Sequence, residues 1–171
     1  MVCVAAAALF LTPALAHTSD APSDVKTIIV EVALQYGIDT KAFLRMAQIE
    51  SNFNPRAIHP HSRAAGLYQF IPTTARSYGL ADPFDPRANA EAAAKLWHDN
   101  AAALERKLGR KPTPGELYLA HQQGLAGATK LLTNPHQKAA SLVGTDAVVM
   151  NGGHPDMTAA EFAGKWIGKF E

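Results

Sequence analysis

One cysteine, Cys3, occurs among the 171 residues. A disulfide framework and a thiolate metal cage are thereby excluded, and stability must come from packing, which one domain of this length can supply. Net charge is scarce as well. Sixteen Lys and Arg stand against 15 Asp and Glu, a formal charge of +1, which gives no footprint for nucleic acid or an anionic membrane. The apolar run Val2–Leu15 falls short of the roughly 20 residues that a membrane-spanning helix needs. No stretch alternates convincingly as a strand, no repeat period emerges, and the zinc motif His-Glu-x-x-His is missing. His59-Pro60-His61 has the wrong geometry for a helical pair of ligands, so no metal and no cofactor is expected.

What is present begins with a targeting segment. Val2–Leu15 has the length of a leader's apolar region, and Ala14-Leu15-Ala16 supplies the small residues at −3 and −1 that a signal peptidase accepts, although the usual positive start is missing. Residues 1–16 are therefore expected to be a signal peptide, 17–24 a short linker and 25–171 one domain. The expected location is the periplasm or the cell exterior, with no stable membrane span after cleavage. His17 would become the new N-terminus, but without a second placed histidine it makes no copper site.

Helix signals then follow one another. Ser23 or Asp24 can cap a helix carrying Val25, Ile28, Ile29, Val32 and Tyr36 on one face, closed by Gly37. Asp85-Pro86 opens a longer, Ala-rich helix through Ala90, Ala94, Trp97, Ala101, Leu104 and Leu108, ending at Gly109 and spaced for close central packing. Thr113-Pro114-Gly115-Glu116 is a capping box that predicts a helix from Pro114 to Gln122 or Gln123, and Thr158-Ala159-Ala160-Glu161 repeats the device before an edge of Phe162, Trp166, Ile167 and Phe170. Short pieces joined by turns are expected in between. Ala147-Val148-Val149-Met150 reads equally as a short strand, a helical turn or a buried loop. The fold class is all-α, or mainly α.

One carboxyl breaks the pattern. Thr40 through Asn52 reads as a helix in which Phe43, Ala47 and Glu50 share a stripe, with Met46 and Ile49 beside them, so Glu50 points inward or into a cleft. An inward carboxyl near the negative end of its helix sits where surroundings favour the neutral form, as a proton donor requires.

The text around Glu50 carries a resemblance. Glu50-Ser51-Asn52-Phe53-Asn54-Pro55, followed by Gly66-Leu67-Tyr68-Gln69-Phe70-Ile71-Pro72-Thr73-Thr74-Ala75, closely resembles the E-S-x-x-N-P and G-L-x-Q-x-x-P-x-T-A pattern of the soluble lytic transglycosylases. The likeness spans about Val25 to Leu132. It implies a lysozyme-like domain with a vestigial hairpin between His59 and Leu67. It also implies an enzyme that cleaves the β-1,4 bond between N-acetylmuramic acid and N-acetylglucosamine in peptidoglycan strands. In that family one Glu acts as acid and then as base, the muramic 6-hydroxyl attacks, and a 1,6-anhydro end forms. A muramidase would add a second carboxylate. Asp82, Asp85, Glu91 and Asp99 are on offer, but Asp85 reads as a helix cap and Glu91 and Asp99 as solvated faces.

The resemblance also distributes supporting roles. Ser51 is expected to help orient the acid, Gln69 to read sugar hydroxyl or acetamido groups, and Gly66 to turn the chain tightly beside the sugar. Tyr68 either lines the cleft or packs in the core. The family's later A-Y-N-A-G motif is replaced by Ala120-His121-Gln122-Gln123-Gly124. His121 is expected to stand as a neutral partner in the Tyr position, and Gln122 to keep the Asn amide chemistry with one methylene more reach. A role in opening the wall for a machine that spans the cell envelope fits this reading, as do hydrolysis and non-catalytic peptidoglycan binding.

Overall fold

The computed structural model describes residues 24–171; the expected signal peptide and all but the last residue of the linker lie outside them. The described residues form eight helices, and their only β pairing consists of isolated bridges. The all-α, lysozyme-like architecture follows from how those helices start, stop and pack.

Helix α1, Val25–Tyr36, and helix α2, Thr40–Ser51, are separated by Gly37, whose φ of 65° closes α1 in the left-handed conformation. Asp24 stands at the α1 N-cap without a side-chain bond, whereas the Asp39 carboxylate accepts from the Ala42 amide at 2.8 Å to start α2. Helix α2 ends one residue earlier than the spacing suggests, because Asn52 takes φ 50° as its C-cap and Phe53 stays left-handed at 63°. The chain thus leaves the helix immediately after Glu50 and Ser51.

The segment after α2 carries the vestigial hairpin. Ile58 pairs with Ala65 and Ala65 with Phe70, so the pairing reaches slightly beyond the expected limits. Helix α3, Pro72–Ser77, follows. Helix α4, Pro86–Leu108, is capped by Asp85 at 2.8 Å and ended by Gly109. Its small face buries Ala90, Ala92, Ala93 and Ala94, letting α1 and α5 approach closely, with Trp97 and Leu104 filling the layer below.

Helix α5, Pro114–Thr133, runs further than the capping box suggests. Its regular backbone is broken at Gly124, with φ 69° and ψ 155°, so two helical stretches follow one another with a kink where the first was expected to stop. The Glu116 carboxylate completes the box by accepting from the Thr113 amide at 2.8 Å, and it pairs with Arg110 at 2.6 Å. Helix α6, Ala139–Val143, and helix α7, Thr145–Met150, are short; Ala147–Met150 is therefore helical rather than a strand. Helix α8, Ala159–Phe170, opens on the second capping box and packs along α5. Arg45 of α2 ties down its far end, donating to the carbonyls of Lys169 at 2.8 Å and Phe170 at 3.2 Å.

Candidate active site

Glu50 occupies the last turn of α2 with its side chain 9% exposed. Phe43, Met46 and Ala47 on the same helix are buried, so the stripe that predicted an inward carboxyl holds, and Glu50 is its only polar member at the cleft. It lines a cleft of about 440 Å³ together with His59, Gln69, His121, Gln122 and Asn151. A smaller hollow of about 230 Å³ shares Gln69, Ile71, His121 and Gln122 and extends the cleft towards Thr74 and Leu96.

Helix α5 supplies the partners of the carboxyl. Gln122 Nε2 donates to Glu50 Oε1 at 2.5 Å. His121 Nε2 stands 3.9 Å from the same oxygen, beyond hydrogen-bond distance. Burial pushes the His121 imidazole below its usual pKa, against the pull of the Glu50 charge, which favours the neutral ring. One turn back, Tyr118 is buried, and its phenol is pushed far above its usual pKa, first by burial and then by the Glu50 carboxylate beside it. Its ring lies parallel to His121, with centroids 6.4 Å apart. Tyr118 went unnoticed in the sequence, although it lies at i−4 from Gln122 and so shares its face.

The turn preceding α3 forms the opposite wall, and its internal bonds dictate what it can offer. Gln69 sits at φ 49° and donates both amide hydrogens to the loop, to Gly66 O at 2.8 Å and Ala57 O at 3.2 Å. Its amide oxygen is left as the acceptor on the cleft side. Gly66 has φ 82°, and a Cβ there would come within 2.0 Å of the Pro83 carbonyl and 2.2 Å of the Asn89 amide. Its need for glycine therefore arises from the chain packed behind it. Asn89, buried in α4, is the clamp: its oxygen accepts from the Tyr68 amide at 2.9 Å and its nitrogen donates to Pro83 O at 2.8 Å.

Two expected supporting residues stand elsewhere. Ser51 donates to the Ala47 carbonyl at 3.1 Å, the ordinary back-bond of a helical serine, and makes no bond to the Glu50 carboxyl. Tyr68 takes the core alternative: it is fully buried, stacks on Phe43 at 4.6 Å and donates to the Phe43 carbonyl at 3.2 Å. Of the acids offered as second carboxylates, Asp85 caps α4, Asp82 accepts from the Phe84 amide at 2.9 Å and Asp99 from the Tyr78 hydroxyl at 2.8 Å. Among the described residues, Glu50 is the one carboxyl that lines the cleft.

Residues 27–140 match the family model of the transglycosylase SLT domain. The chain belongs to that family. The matched span contains Glu50, the Gly66–Gln69 turn and the His121-Gln122 pair, and it ends before α7 and α8. The SLT chain is also similar to a transglycosylase of Enterobacteria phage PRD1, with 36% identity over 66 residues. That match covers 39% of this chain and 24% of the phage protein, so the likeness reaches the domain and leaves most of the relative's length aside.

Proposed function

We propose that this SLT domain cleaves peptidoglycan strands as a lytic transglycosylase, with Glu50 as its sole acid and base. The observation that carries the reading is a single, nearly buried carboxyl, Glu50, in a cleft whose other lining residues among those described carry no carboxylate. Glu50 would deliver its proton to the glycosidic oxygen as the muramic acid C1 becomes oxocarbenium-like. The bond from C1 to that oxygen breaks, and N-acetylglucosamine leaves with the proton. The resulting carboxylate would then take the proton of the muramic 6-hydroxyl as its oxygen bonds to C1, closing the 1,6-anhydro ring and returning Glu50 to its acid form.

The surroundings suit a group that must exist in both states. Gln122 donates to the carboxylate without adding charge, and a neutral His121 avoids the cation that would hold the proton off. Hydrolysis would need a second carboxylate to activate water, and none lines the cleft among the described residues, which favours attack by the sugar's own hydroxyl. Export, as the leader implies, would deliver the chain to this substrate. A zymogram on peptidoglycan tests the reading: wild type should clear the gel and Glu50→Gln should not. Absence of clearing by wild type defeats the enzymatic reading in favour of a binding role.

A further inference from the structure

The cleft does not end at Glu50. Asn151, which lines it, also lines a separate hollow of about 210 Å³ whose other walls are Lys165, Trp166 and Lys169 of α8. All four residues lie beyond the span matched by the family, so this end of the cleft is built by the chain's own C-terminal helices. It is firmly attached to the site. The Trp166 ring packs edge-on against Tyr118 at 6.3 Å, Phe170 stacks on Tyr118 at 5.1 Å, and Tyr118 borders Glu50.

The chemistry of the hollow is one-sided. Among the described residues, two ammonium groups and no carboxylate line it. Lys165 donates to the Gly152 carbonyl, fixing the turn after α7, and the Lys169 ammonium stands over the Trp166 ring at 5.6 Å. Neither lysine has an acidic partner among the salt bridges of the described residues. The indole N–H of Trp166 is buried and has no acceptor among the described residues either. The two ammonium groups fit an anionic group on a ligand already lying in the cleft.

We propose that this hollow binds the carboxylate-bearing stem peptide carried on the lactyl group of a muramic acid residue, so that the domain distinguishes peptide-bearing strands from bare ones. The proposal rests on the peptidoglycan reading above and adds a specificity site to it. Lys165 and Lys169 pair with the peptide carboxylates, and the apolar face of Trp166 and the lysine stems cover its backbone. Met150, 85% exposed on α7, stands at the entrance from the main cleft.

Two arms test the proposal separately from catalysis. In the first, N-acetylmuramoyl tetrapeptide and peptide-free N-acetylmuramic acid are titrated against the full chain, following Trp166 fluorescence in a Trp97→Phe background. The tetrapeptide should bind more tightly, and Lys169→Glu, which keeps the tie from Lys165 to Gly152, should weaken it about tenfold. Equal affinity for both probes, or an unchanged affinity in Lys169→Glu, overturns the proposal.

In the second arm, sacculi are compared with sacculi stripped of stem peptides by an amidase. The ratio of cleavage rates, intact over stripped, should fall in Lys169→Glu and in Lys165→Ala/Lys169→Ala. A ratio equal to that of wild type overturns the proposal. If wild type cleaves neither substrate, the catalytic reading fails while the peptide titration still decides the hollow.

Discussion

Gln122 reaches across from α5 to Glu50 at the end of α2, joining residues 72 positions apart through a 2.5 Å hydrogen bond from amide to carboxyl. The amide adds no charge beside the carboxyl, and burial lowers the pKa of the neighbouring His121 imidazole. Removing the amide with Gln122→Ala should lower turnover by about tenfold, the scale of one hydrogen bond to a charged group. Gln122→Asn, shorter by one methylene, should retain more activity than alanine. Steady-state rates on soluble glycan strands check both, and a fully active alanine variant would remove Gln122 from the site.

Tyr118 approaches the same carboxyl from one helical turn away. Tyr118→Phe keeps the ring against Phe170 and His121 and removes only the hydroxyl, so the fold should survive. If the hydroxyl positions Glu50, kcat should fall while KM stays close to that of wild type. A loss confined to KM would assign Tyr118 to substrate binding instead.

The neutrality of His121 has a consequence for stability. Burial lowers its folded pKa below the ordinary imidazole value, so over the interval beneath about pH 6.5 the unfolded chain binds more protons than the folded one. The contribution is fully present above that pH and is lost as pH falls through the folded value. Urea midpoints should decline between about pH 7.5 and about pH 5 more steeply for wild type than for His121→Gln. Parallel declines would mean that His121 titrates alike in both states.

Gly66 and Asn89 make a structural prediction. A methyl at position 66 meets backbone and amide atoms that cannot yield easily, in a backbone conformation that alanine avoids. Gly66→Ala should therefore cost about 3 kcal/mol or more, and Asn89→Ala, which orphans the Tyr68 amide and the Pro83 carbonyl, a similar amount. Chemical denaturation measures both. A near-neutral Gly66→Ala would show that the 82–89 segment can retreat from the turn.

The parts legible from sequence are those fixed by neighbours a turn or two away. Asp85-Pro86 with Gly109 bounded α4, both Thr-x-x-Glu boxes opened their helices, and the stripe through Phe43 and Ala47 turned Glu50 towards the cleft. What escaped depended on pieces meeting across the fold. Which residue of α5 touches Glu50 is set by the helix's rotation against α2, and that rotation brings the Tyr118–Gln122 face forward. Ser51 was expected to orient the carboxyl because the resemblance assigns that position the role, yet its hydroxyl donates to an acceptor in the preceding turn, the Ala47 carbonyl. Asn89 carried one signal that was readable: a polar side chain beside Ala90 at the start of an otherwise small, apolar face.

The central claim is that Glu50 works alone and that the substrate supplies its own nucleophile. Mass spectrometry of muropeptides released in heavy-oxygen water tests it most directly, with Glu50→Gln as the blank. The account predicts 1,6-anhydromuramic ends without heavy oxygen from wild type and no products from the blank. Reducing ends that carry heavy oxygen would contradict it, since water would then have taken the place assigned to the 6-hydroxyl.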